Sequence, residues 1–244
     1  MEQNLRDLLG EPFEQYAGDN IVPGLVCLAI VPYQLRTLHV VRPLSYNSAS
    51  PSSAAYKLSK INFEQLTQRA NGMNRLPHVE LSLRSDEDLV VYKVKIRPVI
   101  VLSPRLPEKA KGLPSYFAYS VLCVPLYTLV DKDGFPKRGY NLVAAEKIAA
   151  LQCRQFFPIP SRTYLDSAIS FLRLDNIQAA NRNILRSKQI KLTKRWLAFI
   201  RVWIRFYATG KLAEEQIPER ERKTAEFLNT VKELLSEQLE KSQY

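Results

Sequence analysis

From residue 20 to about 160, apolar positions come in short blocks cut by Pro, Gly, Asp and Ser, the texture of strands joined by turns. Leu25 to Val31 is an apolar run held between Pro23 and Pro32, which predicts a buried strand, and Leu38 to Val41 continues the strand character. Val79 to Leu83 and Leu89 to Val94 read as a strand pair around the turn Ser85-Asp86-Glu87-Asp88. Arg97 opens a strand through Ser103, and Ser120 to Val130 is another, ended by the turn Asp131-Lys132-Asp133-Gly134. Residues 45–53 form a polar loop, and 104–114 a loop rich in Pro and Lys. Helical spacing is sparser here. Leu5, Leu8, Leu9 and Phe13 fall on one side of a short helix over 2–17, and Asn62 can cap a helix that runs to about Asn71 and stops at Gly72. Ala144 to Ala150 fits a helical turn or a strand.

After Ser161 the period changes. Apolar residues take helical spacing, and the pattern predicts helices over 163–186, 191–208 and 219–241, broken at Gly210 and Pro218. The expected class is therefore α+β. A strand-rich antiparallel barrel or sheet with an N-terminal helix occupies 1–162, and a helical region follows over 163–244.

Composition excludes several chemistries. With 46% hydrophobic and 24% charged residues the 244-residue chain has the balance of a folded globular protein. Only 8 glycines occur, and neither GxxxxGK[ST] nor GxGxxG is present, so no glycine-rich phosphate loop is expected. Two histidines, His39 and His78, and three scattered cysteines, Cys27, Cys123 and Cys153, cannot supply a multi-ligand zinc site. No cofactor and no metal is expected. The cysteines sit in apolar runs, which makes them buried thiols of a reducing compartment. The first twenty residues carry Arg6 against Glu2, Asp7, Glu11, Glu14 and Asp19, the wrong sign for a secretory leader. Ile21 to Tyr33, the longest mostly apolar run, holds two prolines and is too short to cross a bilayer. A cytoplasmic protein without membrane contact is the expectation.

Charge changes the picture most. The formal net charge is +11, but residues 1–90 carry −2 and 212–244 carry −3, so 91–211 hold an excess of +16. A positive field concentrated in this way favours a polyanion, nucleic acid above all. On a helical wheel Lys191, Lys194, Arg195, Arg201 and Arg205 fall within an arc of about 120°. Trp196, Phe199, Ile200, Trp203, Ile204 and Tyr207 fill the other side. The basic stripe is a candidate phosphate track or a solvated face.

Two of the strands carry a resemblance. Ile96-Arg97-Pro98-Val99-Ile100-Val101-Leu102-Ser103-Pro104, followed by Val121-Leu122-Cys123-Val124-Pro125-Leu126-Tyr127-Thr128, resembles the MazF/PemK-type endoribonuclease toxins, which are small SH3-like barrels. Cys153-Arg154-Gln155-Phe156-Phe157-Pro158-Ile159 with Ser161-Arg162 is similar to a third family strand, and Pro23-Gly24-Leu25 to the opening one. The likeness spans about 20–33 and 90–185, with a long insertion at about 34–89. It implies metal-independent cleavage of single-stranded RNA by attack of a ribose hydroxyl on the adjacent phosphate. It also implies an antitoxin protein and a second copy of the chain as partners. Arg97 matches the family's catalytic arginine, whose guanidinium meets the extra charge on the phosphoryl oxygens.

The chain departs from the family at telling positions. Tyr127 stands where active members carry Thr or Ser, and Thr128 reaches the site only if a bulge shifts the register. Arg154 stands where the family tends to have Asp, and Phe157 where it tends to have Arg. The candidate catalytic residues are Arg97, Tyr127 and Thr128, and the candidate RNA contacts are Lys93, Lys95, Arg154, Lys194, Arg201 and Arg205. Three readings stay open: an endoribonuclease of toxin type, a non-catalytic nucleic-acid-binding or protein-interaction module on the same fold, and an unrelated basic structural protein.

Overall fold

The first helix is shorter than its apolar spacing predicts. α1 spans Leu5–Leu9, and Gly10 ends it at φ +80°, a left-handed conformation that suits glycine. The Gly10 N–H closes the turn on the Arg6 carbonyl at 2.7 Å. Pro12 follows, and within the rest of the expected 2–17 helix Phe13–Gln15 form a strand, β1, while residues 2–4 lie outside the described residues.

The computed structural model describes residues 5–32, 38–46, 54–61, 90–103, 120–137, 139–160, 163–211 and 218–242. After β1 come β2 (Leu25–Pro32), β3 (Leu38–Tyr46), β4 (Ala54–Ile61), β5 (Val90–Val91), β6 (Val94–Ser103) and β7 (Ser120–Val130). The chain continues with α2 (Leu142–Ala149), β8 (Phe156–Pro160), β9 (Ile169–Arg173), β10 (Gln178–Asn181), β11 (Arg186–Leu192), α3 (Lys194–Thr209) and α4 (Glu219–Ser242). The helix expected over Asn62–Asn71, the strand at 79–83 and the loop at 104–114 lie outside the described residues.

The chain divides into two units, Met1–Ala29 with Ile96–Tyr244, and Ile30–Lys95. In the second, β3 pairs antiparallel with β4 on one edge and β5 on the other. The larger assembly is an open eight-stranded sheet in the order β1-β11-β2-β6-β7-β9-β8, with β10 also on β7. Its pairings include antiparallel β1–β11, β11–β2, β6–β7, β7–β9 and β8–β9. Among the described residues no pairing joins the end strands β1 and β8. β7 is long enough to share one edge between two partners. Ser120 to Cys123 pair with β10, and Leu126 to Val130 with β9. Pro125, which has no N–H to offer, sits where the partner changes.

The helix expected over 163–186 is a correction. This stretch holds β9, two 3₁₀ turns at Leu174–Asn176 and Arg182–Ile184, and β10. Its apolar spacing also fits alternation, with Ile169, Phe171 and Arg173 on one side and Ser170 and Leu172 on the other. Two open positions on β7 decide for the strands, since pairing there satisfies backbone groups that a helix would leave unpaired. Lys191 likewise lies on β11, not on the following helix. The long helices begin at Lys194.

α3 and α4 pack on each other and share the main core with the sheet. Trp196, Trp203 and Ile200 are fully buried against Phe157, Leu172 and Leu228 in the main core. Both indoles are satisfied, Trp196 Nε1 donating to the Gly10 carbonyl and Trp203 Nε1 to the Phe156 carbonyl, each at 3.0 Å. A smaller core of Leu129, Ala145, Ile148 and Phe171 joins α2 to β7 and β9. Asn141 caps α2 by accepting from the Ala144 N–H at 2.8 Å.

Phe157 packs edge-on to Trp196 and against Trp203. Phe157→Ala is expected to lower the unfolding free energy by about 3–5 kcal/mol, read by urea denaturation. The buried thiols make a second prediction. Burial pushes Cys27 from about 9 up to about 11, and burial with the charge of Cys27 pushes Cys123 up to about 12. The unfolded thiols lose their protons first, so their contribution is whole below about pH 9 and is lost as pH rises through 11 and 12. The urea midpoint falls over that window, and Cys27→Ala with Cys123→Ala flattens the fall.

Candidate functional site

Three strands bring the site together. β6 pairs with β7 through Val99 with Pro125 and Val101 with Cys123, and continuing that register outward sets Arg97 opposite Tyr127. β7 pairs with β9 through Tyr127 with Phe171. Side chains opposite one another on one face can touch, and these do. The Arg97 guanidinium carbon lies 4.4 Å from the Tyr127 ring centroid. The Tyr127 and Phe171 rings stack with centroids 5.6 Å apart. Arg173, two residues along β9 on the same face, brings its guanidinium carbon to 5.6 Å from the Tyr127 ring.

The surrounding groups hold this row in place. Asn176, at the end of the 3₁₀ turn after β9, donates from Nδ2 to the Tyr127 phenol oxygen at 3.1 Å. Asp175 accepts from Arg173 Nε at 2.9 Å and Nη2 at 2.7 Å, a two-point clamp on one edge of the guanidinium. Tyr140 and Phe156 each set a ring edge-on to Phe171. Burial pushes the Tyr140 phenol above its usual range, while Arg173 and Arg97 pull it down and Tyr127 and Asp175 push it up. Those five groups share one electrostatic neighbourhood. The Asp175 hydrogen bond raises Arg173 beyond its usual value, so its charge is permanent.

Arg97 and Tyr127 are thus in contact, and Thr128 is not with them. Thr128 pairs with Ser170 in the same register, and the irregularity in β7 falls between Thr128 and Val130, too late to turn it. Alternation sets it on the face of Leu126 and Leu172. Lys93 and Lys95 are exposed, Lys95 on β6 and Lys93 just before it. Arg154 is exposed in the turn before β8, its Nη1 next to Gly210.

The basic stripe on α3 is partly neutralised. Arg205 pairs with Glu221 of α4 at 2.9 Å. Arg195 lies over the rings of Phe199 and Phe227, and Lys191 pairs with Glu14 at 3.2 Å. Lys194 and Arg201 are exposed.

Sequence reasoning passed over Arg173, Asp175, Asn176, Tyr140 and Phe171. The alternation Ile169, Phe171, Arg173 signals a strand and would have set Arg173 beside its neighbours, but it sits inside the stretch read as helix. Among the described residues, no three His, Cys, Asp or Glu side chains gather where a metal ion could be held, and no helix is long and apolar enough to cross a membrane. No family model, curated protein or solved structure matches the chain.

The arrangement can bind an anion at fixed guanidinium groups and offer a phenol hydrogen beside it. Tyr127→Leu removes the ring that carries Arg97 and is expected to cost about 1–3 kcal/mol of stability. Tyr127→Phe keeps the ring, loses the Asn176 bond and costs about 1 kcal/mol. Thermal unfolding of the two variants side by side measures the difference.

Proposed function

We propose that the protein binds single-stranded RNA as a MazF/PemK-like module on a bent sheet that closes toward a barrel, with Arg97 on the backbone phosphate. The observation that carries the reading is the Arg97 guanidinium held 4.4 Å above the Tyr127 ring, on a face rich in aromatic side chains. A guanidinium held over a ring keeps a set orientation, so contact with a phosphate leaves little ordering to do. Half-buried rings nearby give unpaired bases a surface to stack on, which is how single strands are usually held. The +16 excess over 91–211 supplies the long-range attraction.

A second reading, metal-independent cleavage, is favoured by the phenol of Tyr127. In that reaction the ribose 2′-oxygen bonds to phosphorus as the bond to the 5′-oxygen breaks, and the 2′ proton ends on the leaving oxygen. The products are a 2′,3′-cyclic phosphate and a free 5′-hydroxyl. Arg97 would meet the added charge on the phosphoryl oxygens, and the Tyr127 O–H would donate to the same group. With Thr128 on the other face, Tyr127 is the hydroxyl beside Arg97, and its bulk sets it farther from the strand than a Thr would be.

An end-labelled single-stranded RNA in EDTA tests both. Binding by the wild type is expected to weaken about 10³-fold or more between 50 and 200 mM salt if several phosphates are engaged. Arg97→Ala is expected to weaken binding at every salt concentration, with the circular dichroism spectrum unchanged. Cleavage, if it occurs, leaves cyclic phosphate ends and falls about 10²–10³-fold in Arg97→Ala. No binding at low salt sinks the proposal, and cleavage that survives Arg97→Ala removes this face as its site.

A further inference from the structure

We propose that the outer face of α4 docks a second copy of this chain, the two helices lying antiparallel about a two-fold axis beside Thr230. α4 turns Ala225, Leu228, Val231, Leu235 and Leu239 into the main core. On a helical wheel the centre of that set lies about 160° from Thr230, taking 100° per residue. Thr230 therefore stands on the outermost line of the helix, with the core on its far side. Glu219, Lys223, Phe227, Leu234, Glu237 and Lys241 fall within about 60° of Thr230, and all are exposed. None of them belongs to residues 91–211, so this surface stands independently of the RNA reading.

The sequence along this line complements itself when reversed. Lys223 and Glu237 each lie seven residues from Thr230, on opposite sides, and Glu219 and Lys241 each lie eleven. A two-fold axis beside Thr230, at right angles to both helices, reverses the direction of the second copy. Lys223 then meets Glu237 of the second copy, and Glu219 meets its Lys241, each contact occurring twice. Phe227 and Leu234 of opposite copies meet between these pairs and give the contact an apolar centre. A parallel arrangement would set every charge against its own like. Glu226 and Glu233 are exposed on the same face, so four carboxylates stand against two ammoniums in a chain of net charge +11. A net negative face repels nucleic acid and anionic lipid. Its mixed signs suit a protein surface with the reverse order of charges, which the chain itself supplies.

Two features keep the association weak. The same axis brings Glu226 next to Glu233 of the second copy, a like-charge contact. The 24-residue helix is about 36 Å long and about 10 Å wide, so the contact covers about 350 Å² per protomer. That is well under the roughly 800 Å² per partner of a stable interface, and a dissociation constant of about 10⁻⁴ M is expected. The charges also have a role to play within one helix, because Glu219 and Lys223, and Glu237 and Lys241, are spaced i, i+4. Exchanging charges between positions 223 and 237 separates that role from docking.

Sedimentation equilibrium of the full chain at low salt, from about 10 μM to about 1 mM, reads the association. The wild type is expected to dimerise. Lys223→Glu and Glu237→Lys each set like charges together twice and weaken the dimer about 10-fold. Combining them restores it to within about 3-fold of the wild type, because both pairs reform with their signs exchanged. Inside a single helix the same combination sets like charges at 219 and 223 and at 237 and 241, so a purely helical role makes the double variant the worst of the three. Glu233→Lys strengthens the dimer, since it turns the contact with Glu226 of the second copy into an ion pair. Circular dichroism verifies that each variant keeps its fold. An equimolar mixture of the two single variants, which restores the same pairs, replaces the double variant if that one fails to fold. A wild type that stays monomeric to 1 mM overturns the proposal. So does a dimer indifferent to Lys223→Glu, a combination no better than either single change, or a Glu233→Lys dimer no tighter than the wild type.

Discussion

The register of β7 against its two neighbours is the constraint on which the rest depends. Tyr127 faces Phe171 across one edge, and the continued pairing with β6 sets Arg97 across the other. A slip of one residue on either edge would turn Tyr127 toward the main core and bring Thr128 to the face where Arg97 lies. Burial holds the register. Leu126 and Leu172 are fitted into the main core, while Leu129 and Phe171 are fitted into the smaller one under α2. Both faces of this pair of strands are therefore committed, so either slip would exchange the side chains of the two cores and break the packing of both. The candidate site inherits its geometry from this packing.

The positive charge follows a different logic. An excess of +16 over 91–211 suggests a broad basic surface, yet several of its members are answered locally. Arg205 meets Glu221, Lys191 meets Glu14, and Lys132 meets Asp166 at 3.0 Å. The exposed Lys132–Asp166 pair contributes little stability, the Arg205–Glu221 pair is half-buried, and each reduces the field at its own place. At the Arg97–Tyr127–Arg173 row two guanidiniums lie over one ring, and Asp175 fixes the direction of Arg173 through a two-point clamp. A regional charge total therefore does not describe the field at any one place on the surface.

Much of the sheet and both long helices were legible in the sequence because local pattern and tertiary demand agree there. Ser120 to Val130 is bounded by the turn at Asp131 and reads as strand from end to end, as the structure has it. The Trp196, Ile200, Trp203 spacing leaves α3 no alternative to a buried face. Residues 163–186 were not legible. Tyr164, Leu165, Ile169, Leu172 and Ile177 can be laid on a helix, and the competing alternation in β9 lasts only five residues. Pairing with distant β7 decided between the two, and a local window carries no trace of it. The same gap hid the site. Arg97 and Tyr127 were named from short motifs thirty residues apart in the chain, while Arg173 and Asp175 acquire meaning only once β9 lies beside β7.

Tyrosine at position 127 differs from a small hydroxyl residue in more than size. A Thr at 127 would present a short O–H close to the strand and leave Arg97 without a ring beneath it. Tyr127 sets its hydroxyl at the far end of a ring, where Asn176 holds it, and uses the ring itself to carry a guanidinium. One side chain then joins three strands' worth of polar groups: Arg97 from β6, its own phenol from β7, and Arg173 from β9. A site built in this way is stiff at its centre, because moving the Tyr127 ring disturbs its contacts with both guanidiniums and with Asn176. Stiffness fixes where the guanidinium and the phenol oxygen sit relative to each other, and the length of the ring sets that oxygen farther from the strand than a Thr hydroxyl would be.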